Sequence, residues 1–305
     1  MFFYNDYSSW TENIFGHKVQ KIAVDAGFTC PNRDGSKAHG GCIFCDNASF
    51  NPPYCSPNKT IHQQLNDGKR FFAHKGNNGH YLAYFQAYSN TYAPLNQLKS
   101  LYEQALEVEN IEGLVIATRP DCVDDEKLDY LAELNRQTHV EIEYGVESVL
   151  DRTLQLVNRQ HSVECSRRAL TATRQRGITT GAHVILGLPG ESREDMLRQA
   201  ETLSEMDIDI LKIHQLQIIR GTRLAKMYEH EPFPLFSVEE YIPFLAEYIR
   251  RLRRDIVIER VASTSPAKQL IAPHWGLKAN EIVRRLQTYM QKNGISQGDY
   301  YLKTE

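Results

Sequence analysis

The chain has 305 residues, of which 41% are hydrophobic and 24% charged, with a formal net charge of −3. A chain of this length buries one large core or two ordinary ones, and the composition excludes a disordered or fibrous protein. The charge balance excludes a polycation that binds nucleic acid over its whole surface, so any such partner must meet a local patch.

The opening segment MFFYNDYSSW lacks the basic start and long apolar run of a secretory signal. No stretch approaches the roughly eighteen uninterrupted apolar residues of a membrane span. The expected compartment is the cytoplasm, with no membrane partner. Six cysteines are expected there as reduced thiols, and clustered ones point to metal binding or catalysis rather than disulfides.

In chain order, the first strand-like run is KIAVDAG (21–27), followed at once by the loop CPNRDGSKAHGGCIFC (30–45). YLAYFQAY (81–88) reads as the second strand, and Leu95, Leu98, Leu101 and Ala105 give a helical period after it. GLVIATRP (113–120) is followed by Leu128, Leu131 and Leu134, and VEIEYGV (140–146) by a helix from Ser162 to Arg176 that stops at Gly177. GAHVILGL (181–188) leads to a helix from Ser192 to Met206, and ILKIHQLQII (210–219) is the sixth strand. Beyond EPFPLF, Ser237 and Glu240 form a capping-box pair for a helix running to Arg254, with Val238, Tyr241, Leu245, Tyr248 and Leu252 as its packed face.

Near-continuous apolar strands alternating with amphipathic helices imply a parallel sheet covered by helices. Six such units predict an α/β fold, a partial (β/α)6 TIM-like barrel, with residues 1–230 as the core and 231–305 as a basic C-terminal α/β extension packed on it as one unit. Chemistry in such folds gathers at the C-terminal ends of the strands.

That rule puts the loop with Cys30, Cys42 and Cys45 over the barrel mouth, because Cys30 follows the first strand directly. A structural zinc site is one reading, with His39 or Cys55 as a fourth ligand, since zinc usually takes four protein ligands. The other is a four-iron cluster held by three thiolates, which leaves one iron open to a small molecule.

This loop resembles the cluster loop of radical S-adenosylmethionine (radical SAM) enzymes, specifically the YhcC/YtqA-type branch related to the radical SAM subunit of Elongator and to oxygen-independent coproporphyrinogen oxidases. EYGVESVLDRTLQLVNRQHS (143–162), HVILGLPGES (183–192), KIHQLQIIRGTRLA (212–225) and IAPHWGLKAN (271–280) resemble blocks of that branch in family order. The spacing departs from the common Cys-x3-Cys-x2-Cys loop, with eleven residues between Cys30 and Cys42. The resemblance implies a [4Fe-4S] cluster on Cys30, Cys42 and Cys45. It further implies S-adenosyl-L-methionine on the open iron, reductive cleavage to a 5′-deoxyadenosyl radical, and an electron donor such as flavodoxin or ferredoxin. It also implies that Phe44 packs near the adenine and that Glu147, at the end of the fourth strand, faces the ribose or methionine. A solvent-exposed strand-end glutamate is the plain alternative for Glu147.

The Gly-Gly-Glu-type triplet usual after the second strand is absent, and Gln86 and Tyr88 stand in its place as candidate contacts. Gly187 and Pro189, in GLPGES, offer a turn at which backbone can approach the cofactor, or an ordinary strand-to-helix turn. His183 and His214 sit inside apolar strands, where a histidine is more often a hydrogen-bonded core residue. Arg159 and His161 face the mouth or cap a helix end, and Cys55, Cys122 and Cys165 read as packing. No residue is assigned as catalytic.

Between 246 and 292 there are ten Lys/Arg against four Asp/Glu, with Arg250, Arg251, Arg253 and Arg254 at the end of the predicted helix. They suit phosphate contacts, or simply the negative end of a helix dipole. With the kinship to Elongator, the expected substrate is tRNA, at a wobble-uridine side chain, where a carboxymethylaminomethyl group becomes aminomethyl. A small metabolite or tetrapyrrole is the alternative substrate, and a non-catalytic metal-stabilised RNA-binding protein the alternative class.

Overall fold

The computed structural model of the protein describes residues 3–47, 51–73 and 79–301. Helix α1 (Tyr7–Phe15) precedes strand β1 (Gln20–Val24), and then α2 (Ile61–Phe72), β2 (Tyr81–Phe85), α3 (Leu95–Leu106) and β3 (Ile111–Thr118) follow. Next come α4 (Asp125–Asn135), β4 (His139–Glu147), α5 (Asp151–Leu156), α6 (Val163–Gln175), β5 (Thr179–Leu186), α7 (Arg193–Ser204) and β6 (Ile210–Gln215). The chain continues through β7 (Ile218–Ile219), α8 (Arg223–His230), α9 (Val238–Ile249), β8 (Val257–Arg260), β9 (Leu270–Ala272) and α10 (Ala279–Asn293).

Strands β1 to β6 lie side by side in chain order with β8 beyond β6, and every pair is parallel. The curved sheet is a partial TIM-like barrel, as expected, with the seventh strand supplied by residues 257–260. β1 and β8 are not hydrogen-bonded to each other, so the barrel is open along that seam. The N-terminal segment covers the edge of β8, where the Ile258 amide donates to the Asn5 carbonyl at 2.7 Å. Lys21 of β1 reaches across the seam to Glu259 of β8 at 2.8 Å.

The outer face of the sheet carries the apolar core. Ile22, Phe85, Leu114, Ile142, Val184 and Ile213 are fully buried against helix residues such as Leu65, Leu98, Leu131, Leu170, Leu203 and Leu245. Each such side chain contributes roughly 1.5–3 kcal/mol relative to leaving it in water. The inner face is different: Ala23, Leu82, Tyr84, Val115 and Ala117 form a small cluster, and beside them stand polar residues such as Lys21, Glu141, Glu143, His183 and Lys212.

The sixth predicted strand ends early. β6 stops at Gln215, and Ile218–Ile219 leaves the sheet to form an antiparallel ribbon with β9. The helix begun by the Ser237/Glu240 capping box stops at Ile249 rather than Arg254. There the Arg253 amide donates instead to Ser204 Oγ at 2.8 Å, which turns the chain toward β8. No helix among the described residues is long and apolar enough to cross a membrane.

Candidate cofactor and substrate site

The cysteine loop is held by backbone contacts that no single residue type announces. The Ile43 amide donates to the Val157 carbonyl (3.0 Å) and the Leu224 amide to the Ile43 carbonyl (2.9 Å), so the loop is clamped between α5 and α8. The Gly41 carbonyl accepts from Asn158 Nδ2 and from Arg223 Nη2, each at 2.8 Å. Gly41 has φ +78° and faces the Arg33 side chain, which a Cβ would crowd, so glycine is needed at this turn.

The three sulfurs look onto one cavity of about 260 Å³ at the C-terminal ends of the strands. Nitrogen donors approach two of them. Asn32 Nδ2 and Arg159 Nη1 each lie 3.6 Å from Cys42 Sγ, and Arg33 Nη1 lies 3.8 Å from Cys45 Sγ. Such N–H groups stabilise negative charge on metal-bound sulfur and tune its reduction potential. Burial first, then the neighbouring Cys42, push the Cys45 thiol up to about 12, so it keeps its proton unless a cation is present. Among the described residues, the two trios of His, Cys, Asp or Glu ligand atoms within 4.8 Å of one another are His17, His80, Glu112 and Glu141, Glu143, Glu259. The three cysteines are therefore set wider than one tetrahedral zinc demands, where bonds of about 2.3 Å bring sulfurs to roughly 3.8 Å. The donor set fits a multi-iron cluster better than a single ion.

Glu147, Gln86, Tyr88 and Phe44 all line this cavity. Glu147 ends β4 at a bulge and has φ +68°, and Tyr88 has φ +62°. Left-handed backbone at non-glycine residues costs energy and concentrates at functional sites. Both residues are thus held where their side chains meet the cavity. Glu147 Oε1 sits 3.6 Å from Arg159 Nη2, which also donates to the Gly145 carbonyl at 2.6 Å. A Cβ at Gly145 would collide with both the Arg159 guanidinium and the Glu147 carboxylate. Phe44 packs with Ile43, Val157, Leu188 and Leu216. Arg159 therefore faces Cys42, and His161, bonded to Arg159 Nε at 2.9 Å, is driven down to about 3 by burial and that guanidinium.

Below the sulfurs the barrel interior is charged. Glu143 accepts from Lys21 (2.8 Å), Lys212, Tyr84 (2.7 Å) and His183 (2.9 Å). Burial alone would raise its pKa, but Lys21 and Lys212 overrule that and hold it well below the usual carboxylate range. Lys21 Nζ also bonds Glu141 (2.9 Å) and Glu259 (2.8 Å), so its ammonium occupies the point at which those three carboxylates converge. His183, His214, Tyr84, Glu143 and Arg260 all line the cavity. The histidines are thus cavity residues, not the core residues their apolar surroundings suggested. For Glu141 and Glu143 a signal was present in HVEIEYGVE of β4, where polar residues alternate with apolar ones up to Tyr144 and mark a strand with one polar face turned into the barrel.

Several expected contacts lie elsewhere. Gly187 and Pro189 line a separate cavity with Phe233, Leu235 and Phe236, because the chain turns outward after Leu186 at a glycine with φ +92°. Cys55 donates to the Ala23 carbonyl at 2.9 Å, and is not among the cavity residues. Of the four arginines, Arg250 lies over the Tyr300 ring, and Arg251 pairs with Glu201 (2.9 Å) and Glu247 (2.8 Å). Arg253 donates to the carbonyls of Ser204 (2.6 Å), Met206 (3.2 Å) and Ile208 (2.8 Å). Arg254 makes no hydrogen bond or ion pair among the described residues. All four precede β8 and so lie at the N-terminal end of the sheet, opposite the cysteines.

Comparison with known proteins gives two family matches, the Radical SAM superfamily over residues 32–203 and the Radical_SAM C-terminal domain over 208–292. The uncharacterized protein YtqA of Bacillus subtilis is 35% identical over 95% of this chain and 90% of its own length. A tRNA uridine(34) acetyltransferase of Methanocaldococcus infernus is 26% identical over 60% of this chain and 34% of its own. Among solved structures, the Elp3 of that archaeon, lacking its N-terminal residues 1–46, superposes with a TM-score of 0.69 at 19% identity, covering 92% of this chain and 64% of that one.

Proposed function

Because the chain belongs to the radical SAM superfamily and is a radical SAM enzyme with a [4Fe-4S] cluster and S-adenosyl-L-methionine as cofactors, we propose that its substrate is tRNA. The reaction is at a wobble-uridine side chain, converting carboxymethylaminomethyl to aminomethyl. The observation that carries the tRNA reading is the similarity to an enzyme named for tRNA uridine(34), which covers 60% of this chain but only 34% of that enzyme. When bound, the cofactor pair supplies a radical that removes a substrate hydrogen atom.

The rest is the work of this chain. Cys30, Cys42 and Cys45 hold the cluster, and Asn32, Arg33 and Arg159 set N–H groups against two of its sulfurs. Phe44 offers an apolar face to the adenine. Glu147, with Gln86 and Tyr88, offers acceptors and donors to the ribose and methionine. The pocket excludes water from its apolar wall and fixes the reacting carbon by contacts farther down the barrel. The reading of the C-terminal extension as one unit with the core is supported by β8 pairing with β6 and by α9 packing on both α7 and α10. Of the 250–254 run we assign the phosphate contact to Arg254, whose side chain has no partner among the described residues, whereas Arg250, Arg251 and Arg253 are engaged. The electron donor is a small reduced protein such as flavodoxin or ferredoxin.

Mass spectrometry of tRNA nucleosides with and without the gene tests this function. Accumulation of a carboxymethylaminomethyl wobble uridine in the deletion supports it, and identical profiles redirect it to a small metabolite or tetrapyrrole.

A further inference from the structure

The cavity has a second, cationic wall that the cofactor assignment does not use. Arg260, the last residue of β8, is exposed and lines it, and its guanidinium makes no hydrogen bond or ion pair with any described residue. Its neighbours cannot neutralise it. All three nearby carboxylates are committed elsewhere. Glu143 is taken by Lys21, Lys212, Tyr84 and His183; Glu141 by Lys21 and Tyr7; and Glu259 by Lys21 and Lys212. Lys21 and Lys212 are both paired, and the Arg260 guanidinium is left over.

His214 stands beside it on β6. Its Nε2 is buried and has no hydrogen-bond partner, although it is a polar atom on a cavity wall. A buried polar atom without a partner is costly, and a ligand atom in the cavity would recover that cost. The ring stacks on His183 at 5.8 Å, and His183 is itself fixed by Glu143, so the His214 ring has a set orientation. Burial first, and then Arg260, keep His214 well below the usual histidine range, so it stays neutral and can donate one N–H.

We infer that Arg260 and His214 form an anion-recognising subsite of this cavity, which takes the carboxylate carried by the substrate's reacting side chain. A planar guanidinium grips a carboxylate through two parallel N–H bonds, and the histidine N–H adds a third from the adjacent strand. This rests on the cavity being the substrate chamber, and it agrees with a carboxymethylaminomethyl group, whose carboxylate is the feature the product lacks. It does not require the substrate to be tRNA.

The test uses cluster-loaded enzyme with S-adenosylmethionine bound and unreduced. N-benzylglycine, which presents an arylmethyl-amino-acetate, is titrated against its neutral amide and against inorganic phosphate, and binding is read by isothermal calorimetry in the parent, Arg260→Gln and Arg260→Lys. The expected result is binding of the carboxylate but not of the amide or phosphate, weakened about tenfold or more in Arg260→Gln, with partial recovery in Arg260→Lys. Equal affinity for carboxylate and amide, tighter binding of phosphate, or an unaffected Arg260→Gln overturns the subsite. In a second arm, tRNA from the deletion strain is the substrate. Turnover by the parent with a KM raised at least tenfold in Arg260→Gln supports subsite and tRNA together. Turnover unchanged by Arg260→Gln overturns the subsite and leaves the tRNA reading standing. No turnover by the parent, with carboxylate binding intact, overturns the tRNA reading alone.

Discussion

Arg159 Nη1 lies 3.6 Å from the sulfur of Cys42, while Nη2 of the same guanidinium holds the Gly145 carbonyl at 2.6 Å. One buried side chain thus ties the cysteine loop to the bulged end of β4. The cluster end of the cavity and the Glu147 wall are thereby fixed relative to each other, and either moves only if the other does.

Replacing Arg159 by Met should leave the three thiols in place but remove a positive N–H donor from one of them. Protein reconstituted anaerobically should still take up iron, with a midpoint potential more negative than the parent's, because the reduced cluster loses a stabilising charge. Stability should fall by about 1–2 kcal/mol as the half-buried Gly145 carbonyl loses its partner. Potentiometry followed by EPR and a denaturation curve check both.

Anaerobic reconstitution of the parent should give about four irons per chain, as one thiolate-held cluster requires. Alanine at Cys30, Cys42 or Cys45 should abolish the cluster absorbance, and alanine at Cys165, which does not line the cavity, should leave it intact. Iron analysis beside visible spectra decides; stoichiometric zinc in its place would refute the assignment.

Glu143→Gln should destabilise the barrel by about 1–3 kcal/mol near neutral pH, since Lys21 and Lys212 would lose one of the two carboxylates they share and keep Glu259, with Glu141 still on Lys21. The Glu143 carboxyl is held well below its ordinary value of 4.5, against burial, by those two lysines. A depressed carboxyl adds stability that is present above its unfolded pKa and lost as pH falls toward the folded one. The gap between parent and variant should therefore be widest at neutral pH and shrink below about pH 4.5. Melting temperatures taken across pH 3–7 measure it.

Glu147 has φ +68°, where glycine is unstrained. Glu147→Gly should raise stability by up to about 1 kcal/mol while weakening S-adenosylmethionine binding, so that stability and function move in opposite directions. Equilibrium dialysis and thermal melts on the same preparation separate the two effects. Unchanged cofactor affinity would remove Glu147 from the cofactor wall.

Arg253→Ala should cost about 1–3 kcal/mol, because its guanidinium satisfies three main-chain carbonyls between α7 and β6. Arg254→Ala should leave stability within about 0.5 kcal/mol and act on tRNA binding alone, making the plot of log affinity against log salt shallower by roughly 0.7–0.9. Chemical denaturation and binding titrations at several salt concentrations distinguish the two arginines.

Much of the fold was legible in the sequence because it rests on local patterns. The six apolar strands of the parallel sheet announced themselves by composition, and the helices between them by period and caps such as Ser162, Ser192 and Ser237. The four-residue β8 did not, since so short a run becomes a strand only by pairing with β6. The spacing of Cys30, Cys42 and Cys45 likewise suggested a cluster loop without any coordinates.

What the sequence could not decide is which distant side chains meet. Glu143, His183, Lys212, His214 and Arg260 come from four strands and converge only because parallel register sets alternate residues of neighbouring strands facing the same interior. The same register made Gly187 and Pro189 miss the cavity, because the chain turns outward one residue past β5. It also set the arginines of 250–254 at the opposite end of the sheet, before β8 rather than after it. Local periodicity reports which face of an element is buried. Whether that face meets the helix-covered core or a polar barrel interior depends on closure of the whole sheet, a property of the long-range contacts.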